Sequence, residues 1–184
     1  EAEESEHDDR VFTLGSPKES IGRLCTFFGN FGMFLRAHAY IRMHGSEGLR
    51  SNSMHAVLNA NYLRVALRDT VAVPFDRTRM HEFVCQGTVE GSEANAIDIA
   101  KRLMDHGFHP PTVYFPLIVP EALMIEPTET EAKEELDAFV EAMIKIQQEA
   151  ENSPELLKEA PHTQPVRRLD EVRAAKQLDL VWSA

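Results

Sequence analysis

The chain has 184 residues, 43% of them hydrophobic and 27% charged. That is enough for a core without disulfide or metal staples, and the ordinary globular composition sets aside collagen-like, disordered and disulfide-framework classes. Thirty Asp and Glu against nineteen Lys and Arg give a formal charge of -11, which argues against nucleic acid or an anionic membrane as partner.

The first ten residues are acidic and lack the basic and apolar regions of a signal peptide, so residues 1–15 are expected to be a disordered lead-in. Ser16-Pro17-Lys18-Glu19 has the form of a capped helix start. Ile21, Leu24, Cys25, Phe28, Phe31 and Leu35 follow at helical spacing, with Phe27, Phe34 and Ile41 widening the apolar face. A helix apolar on nearly all sides is a buried one, and the remainder of the chain offers few partners to enclose it. Its longest uncharged run, Leu24 to Leu35, falls short of the ~20 residues of a membrane span. A cytoplasmic protein is expected, or a mitochondrial one if the source is eukaryotic.

Gly45 to Gly48 is expected to break the helix, and Met54, Val57, Leu58 and Val65 then mark a second one, which closes a helical segment over 16–70. Residues 71–160 read as an α+β unit. VAVPF, HEFVCQ, TVYFP and ALMIE are strand-like runs, and EANAIDIAKRLMDHG supplies a helix with Ala96, Ile99, Ala100 and Leu103 on one face. Thr128 to Glu131 looks like the cap of a further helix carrying Leu136, Phe139, Val140, Met143 and Ile146. Ser153-Pro154 starts a short last helix, and residues 161–184, poor in periodicity, are expected to form an extended tail.

Chemistry-bearing clusters are sparse. Cys25 and Cys85 belong to no CxxC and read as free thiols. His106 and His109 straddle a helix end, and His38 and His44 lie on different helix faces, so no zinc spacing is present and no metal is expected. Phosphate-loop, dinucleotide, GxSxG and HExxH patterns are absent. His81-Glu82 has acid-base residue types, yet neighbours on one strand point to opposite faces, so only one of them would enter a site. Asn30 and Asn61 are amides at positions where burial is expected, and the plainer reading of each is an amide that satisfies backbone. The proline-bound turns around His109 and Glu126 sit at strand ends, where sites are often carried.

Five stretches carry a resemblance: GNFGMFLRAHAYIRMHGSEGLR (29–50), HAVLNANYLR (55–64), MHEFV (80–84), DIAKRLMDHGFHPPTVYFPLIVPEALMIEPTETE (98–131) and EAPHTQPVRRLDEVRAA (159–175). Together they resemble the C-terminal part of the glycine cleavage system P-proteins, the decarboxylating glycine dehydrogenases, over roughly Ser20 to Trp182. The chain departs from the family at Arg36 to Ile41, where RAYAYI is usual, and at Thr78-Arg79, where Pro-Cys is common. The resemblance implies the small C-terminal domain of a fold-type-I enzyme, an antiparallel sheet covered by helices. It also implies a parent protein that uses pyridoxal phosphate to decarboxylate glycine and passes the aminomethyl group to the lipoyl arm of the H-protein. In that family the cofactor lysine follows a histidine upstream of the matching part. None of Lys18, Lys101, Lys133, Lys145, Lys158 and Lys176 does so, so no catalytic residue is assigned in this chain, which is expected to be inactive by itself. Its expected partners are the remainder of the P-protein with the cofactor domain, the lipoylated H-protein and glycine. Asn30, His81, His109 and Glu126 are the substrate-side candidates. The competing reading is a non-catalytic acidic interaction module.

Overall fold

A computed structural model describes residues 2–3, 11–12, 15–22, 24 and 27–181. The free-thiol expectation for Cys25 and much of the acidic lead-in lie outside the described residues. The chain divides into two compact units, Glu1–Gly45 and Ser46–Ala184.

In the first unit, β1 (Ala2–Glu3) pairs antiparallel with β2 (Val11–Phe12), Ala2 opposite Phe12. The helix expected from Ser16 does not form there. The described residues between 15 and 30 are irregular, and α1 (Phe31–Leu67) begins at Phe31, where the Asn30 carbonyl accepts the Met33 and Phe34 N–H groups. Gly22 (φ 93°) and Gly29 (φ 122°) adopt left-handed backbone angles. No right-handed helix can run through such residues, and this defeats the apolar periodicity upstream. Burial also differs from expectation, since Phe31 is 72% exposed and Met43 74%. The described part of this unit has too few apolar side chains to bury that helix.

The expected break at Gly45 to Gly48 is a single residue, Gly45 (φ 62°, ψ −175°), after which α1 resumes. In the second unit α1 buries Asn59, Ala60, Leu63 and Leu67. The stripe through Met54, Leu58 and Val65 is exposed, so the buried face is rotated from the one periodicity suggested. β3 (Phe83–Gln86), β4 (Thr112–Val113) and β5 (Ala122–Ile125) form an antiparallel sheet in the order β3-β5-β4, with Phe83 opposite Ile125 and Thr112 opposite Met124. The run VAVPF contributes no strand. Its tie to the sheet is the Gln86 N–H donating to the Ala72 carbonyl, and Pro74 has no N–H to extend a ladder.

Between the strands, α2 (Ala96–Asp105) starts at a reciprocal cap, Asn95 accepting from the Asp98 N–H and Asp98 from the Asn95 N–H, and it buries Ala96, Ile99, Ala100 and Leu103 as the spacing predicts. α3 (Lys133–Asn152) begins later than its capping pattern suggests, because the Thr128 and Thr130 hydroxyls bond each other and Glu131 and hold 128–131 as a turn. Its apolar face is the expected one, with Leu136, Phe139, Met143 and Ile146 buried. α2, α3, β3, β5 and the buried face of α1 close one core around Phe83, Cys85, Leu103, Leu123, Met143 and Ile146. The arrangement is α+β, helices plus a small antiparallel sheet.

After α4 (Pro154–Lys158) the tail runs over α2 and contains a short helix, α5 (Glu171–Lys176), capped by the Asp170 side chain, where an extended segment was expected. Asp105 accepts from the His162 and Thr163 N–H groups and the Thr163 hydroxyl, and Arg168 donates to Asp98 and to the Leu157 and Ala160 carbonyls. Among the described residues no helix is long and apolar enough to cross a membrane.

Candidate functional site

Two of the four sequence candidates meet at the end of the sheet. His81 and Glu82 lead into β3, and Glu126 follows β5. The His81 Nε2 lies 3.6 Å from Glu126 Oε1 and 3.9 Å from Glu82 Oε2. The expectation that only one of His81 and Glu82 could face a site is therefore corrected. Strand alternation holds only inside a ladder, and β3 begins one residue after Glu82.

Glu126 also lines a cleft of about 500 Å³, and His109 lines it from the turn that ends α2. Leu63, Phe108, Ile125, Leu136 and Phe139 give it apolar walls, while Glu131 and Glu135 add carboxylates. Phe108 and Phe139 pack edge to face, centroids 5.3 Å apart. His109 and Glu126 are exposed, so both are presented to whatever occupies the cleft.

Asn30 does not join them. It is exposed at the start of α1 in the other unit, and its backbone carbonyl caps the helix. Asn61 is half-buried and fully engaged, its Nδ2 donating to the Val57 and Arg79 carbonyls at 2.8 and 2.7 Å while its Oδ1 accepts the Arg79 N–H at 2.9 Å. It is the structural amide of the plainer reading, and it fixes the backbone two residues before His81. Sequence reasoning missed Asn59. This buried amide donates to the Thr128 and Glu131 carbonyls at 2.9 and 3.3 Å and holds the loop that forms one rim of the cleft. Its signal was the spacing of Asn59, Leu63 and Leu67, an unbroken buried stripe with a polar member.

Two further titratable groups, Cys85 and His106, lie outside the lining of the cleft. Burial pushes the Cys85 thiol up to about 12, against a small lowering by its backbone hydrogen bond. It stays protonated and unreactive at neutral pH. Burial and the nearby Arg102 charge lower the His106 pKa.

The cleft does not fit pyridoxal phosphate as its holder. Among the described residues none of its walls carries lysine or arginine, and three of its lining side chains are carboxylates, the reverse of a phosphate cradle. Lys133 is engaged with Asp137 and Lys158 with Glu93.

The sequence model of the family described as "Glycine dehydrogenase, C-terminal domain" matches residues 52–164. The chain belongs to that family. It is 56% identical over 179 residues to the probable glycine dehydrogenase (decarboxylating) subunit 2 of Caldanaerobacter subterraneus subsp. tengcongensis, covering 97% of this chain and 37% of that protein. The like-named proteins of Chlorobaculum tepidum and Listeria innocua are 54% and 55% identical, each over 92% of this chain and 35% of their own length. The chain thus spans little more than a third of the relatives it matches. All five stretches that carry the resemblance lie mostly or wholly on described residues, and the last two supply the cleft and the tail that clamps α2.

Proposed function

We propose that this chain is the substrate-side, small domain of a fold-type-I glycine dehydrogenase (decarboxylating), working in the cytoplasm with the remainder of a P-protein, glycine and the lipoylated H-protein. Pyridoxal phosphate, which supplies the electron sink for decarboxylation, would be held by a lysine and a phosphate cradle outside this chain. The observation that carries the reading is the cleft: an apolar-walled recess bearing His109 and Glu126 on rigid turns, within a domain 56% identical to a glycine dehydrogenase subunit. Apolar walls exclude water from whatever the cleft covers, and two consecutive prolines, Pro110 and Pro111, lock the backbone that aims His109. The role of these side chains is to position and enclose, and Asn59 and Asn61 hold the elements that carry them.

The test is His109→Ala in the assembled enzyme. Glycine decarboxylation or carbon dioxide exchange is expected to fall by about 10-fold or more, the size of a lost positioning contact, with cofactor absorbance and melting temperature near wild type. Full turnover per folded molecule would remove His109 from the site. For the 184-residue chain itself, borohydride reduction with added pyridoxal phosphate is expected to label no lysine stoichiometrically. Uniform labelling of one lysine with its visible absorbance would overturn the placement of the cofactor lysine outside this chain.

A further inference from the structure

We propose that His81, Glu82 and Glu126 form a binding site for a divalent transition-metal ion at the end of the sheet. The proposal goes beyond the function above and does not depend on it. In the β3–β5 ladder Phe83 stands opposite Ile125, so the next positions outward, 82 and 126, face each other, and both are glutamates. Like charges directly opposite on antiparallel neighbours repel. Among the described residues the nitrogen side chain within 4 Å of both carboxylates is His81, with no lysine or arginine paired to either. Two carboxylates thus converge on one imidazole, and a cation between them would turn that repulsion into attraction.

The distances suit such an ion. One nitrogen and two oxygens lie within 4.8 Å of one another, and the imidazole nitrogen is 3.6 and 3.9 Å from the carboxylates. Metal bonds of about 2.0–2.2 Å in a tetrahedral arrangement set ligand atoms roughly 3.3–3.6 Å apart. Small side-chain rotations close the difference, and all three side chains have room for them, at 54%, 41% and 57% exposure. The backbone is held on both sides of the cluster, since Glu82 and Glu126 flank the last paired positions of the ladder, Phe83 and Ile125, and the Asn61 amide fixes Arg79. One imidazole with two carboxylates favours zinc, cobalt or manganese over magnesium, which prefers oxygen ligands and retains its waters. Because Glu126 also lines the cleft, the ion would border it.

The 184-residue chain should be titrated with Zn²⁺ by calorimetry and with Co²⁺ by visible absorbance, with Mg²⁺ as the comparison. One saturable equivalent of Zn²⁺ is expected, with Mg²⁺ binding far more weakly. His81→Ala and Glu126→Gln should each weaken Zn²⁺ by at least about 10-fold, the lower range for disturbing a metal site's ligand shell, while His38→Ala leaves it unchanged. Zn²⁺ should raise the melting temperature of the wild type and not of these two variants. Glu82→Gln is expected to raise the metal-free melting temperature while removing the zinc-dependent rise, a combination that a purely structural carboxylate would not give. The three side chains are exposed, so the variants should keep the wild-type circular dichroism. Absence of a saturable equivalent, or wild-type affinity in His81→Ala or Glu126→Gln, overturns the proposal.

Discussion

Arg102→Met is expected to cost the second unit about 3 kcal/mol of stability, because it strands the Glu149 carboxylate and removes one of the donors that hold Asp105. Arg102 Nε and Nη2 grip both oxygens of Glu149 at 2.8 and 3.0 Å, and Nη1 donates to Asp105 at 3.1 Å. The Asp105 side chain is 2% exposed and those of Arg102 and Glu149 13% each, so solvent cannot replace the lost partner. The hydrogen bonds from Arg102 hold the Glu149 carboxyl below its usual range against its burial. At Asp105 burial raises the pKa, and the Thr163 and His162 hydrogen bonds with Arg102 outweigh it, leaving the group lowered. Depressed carboxylates contribute stability that is present above their unfolded values, about 4. They lose it as the pH falls through the lower folded values. Wild type should therefore weaken as acid is added below about pH 4, and the Met variant, already without the Arg102 term, should weaken less over the same window. Urea unfolding at neutral and acid pH measures both. Equal urea midpoints for variant and wild type at neutral pH would show that the cluster contributes nothing. The consequence reaches the cleft, since the same cluster pins the end of α2 from which His109 projects.

α2 and α3 could be read from the sequence because a single buried face decided each of them. Ala96, Ile99, Ala100 and Leu103 meet one core, and no neighbouring glycine competes with the helix. The start of α1 could not be read in this way. Its apolar periodicity is real, yet Gly22 and Gly29 take left-handed angles that periodicity does not register, and the described part of that unit buries none of the apolar side chains in question. The site divides along the same lines. The placement of His109 and Glu126 in turns at the rim of the cleft is legible because prolines and strand ends mark turns in the sequence itself. The convergence of His81 with Glu82 was hidden because it depends on where the ladder stops, and that is set by pairing with β5 some forty positions away. Asn59 was missed for a similar reason. The rotation of the buried stripe on α1 is fixed by what packs against it, and only that rotation turns an unremarked amide into the hinge pin of the cleft rim.

Gly87→Ala should be among the most disruptive single changes to the sheet and α2, with an expected loss of about 2–3 kcal/mol from overpacking. Gly87 directly follows β3, and its N–H donates to the Glu121 carbonyl at 2.7 Å. A Cβ at this position would lie 2.6 Å from the Cα of Ala96, 2.8 Å from its Cβ and 3.1 Å from a methyl of Leu123. The nearest of these is backbone, at the first turn of α2, so no rotamer change relieves the clash. Relief requires α2 to lift away from β5 and so to break the bond from the Ala96 N–H to the Glu121 side chain. Gly87 does not lie in the left-handed region, so the cost comes from crowding rather than from backbone strain. A double variant separates these terms. Ala96→Gly removes the 2.8 Å contact and leaves the 2.6 Å one, so Gly87→Ala with Ala96→Gly should recover less than half of the loss after the cost of Ala96→Gly alone is subtracted. Gly91→Ala provides the opposite case, with open space around it but φ at 78°, and should lose about 1 kcal/mol through strain alone. Urea unfolding of the wild type and the four variants measures the set. A Gly87→Ala protein as stable as Gly91→Ala would show that the crowding against Ala96 and Leu123 costs no more than the strain of one left-handed alanine, and would overturn the overpacking account.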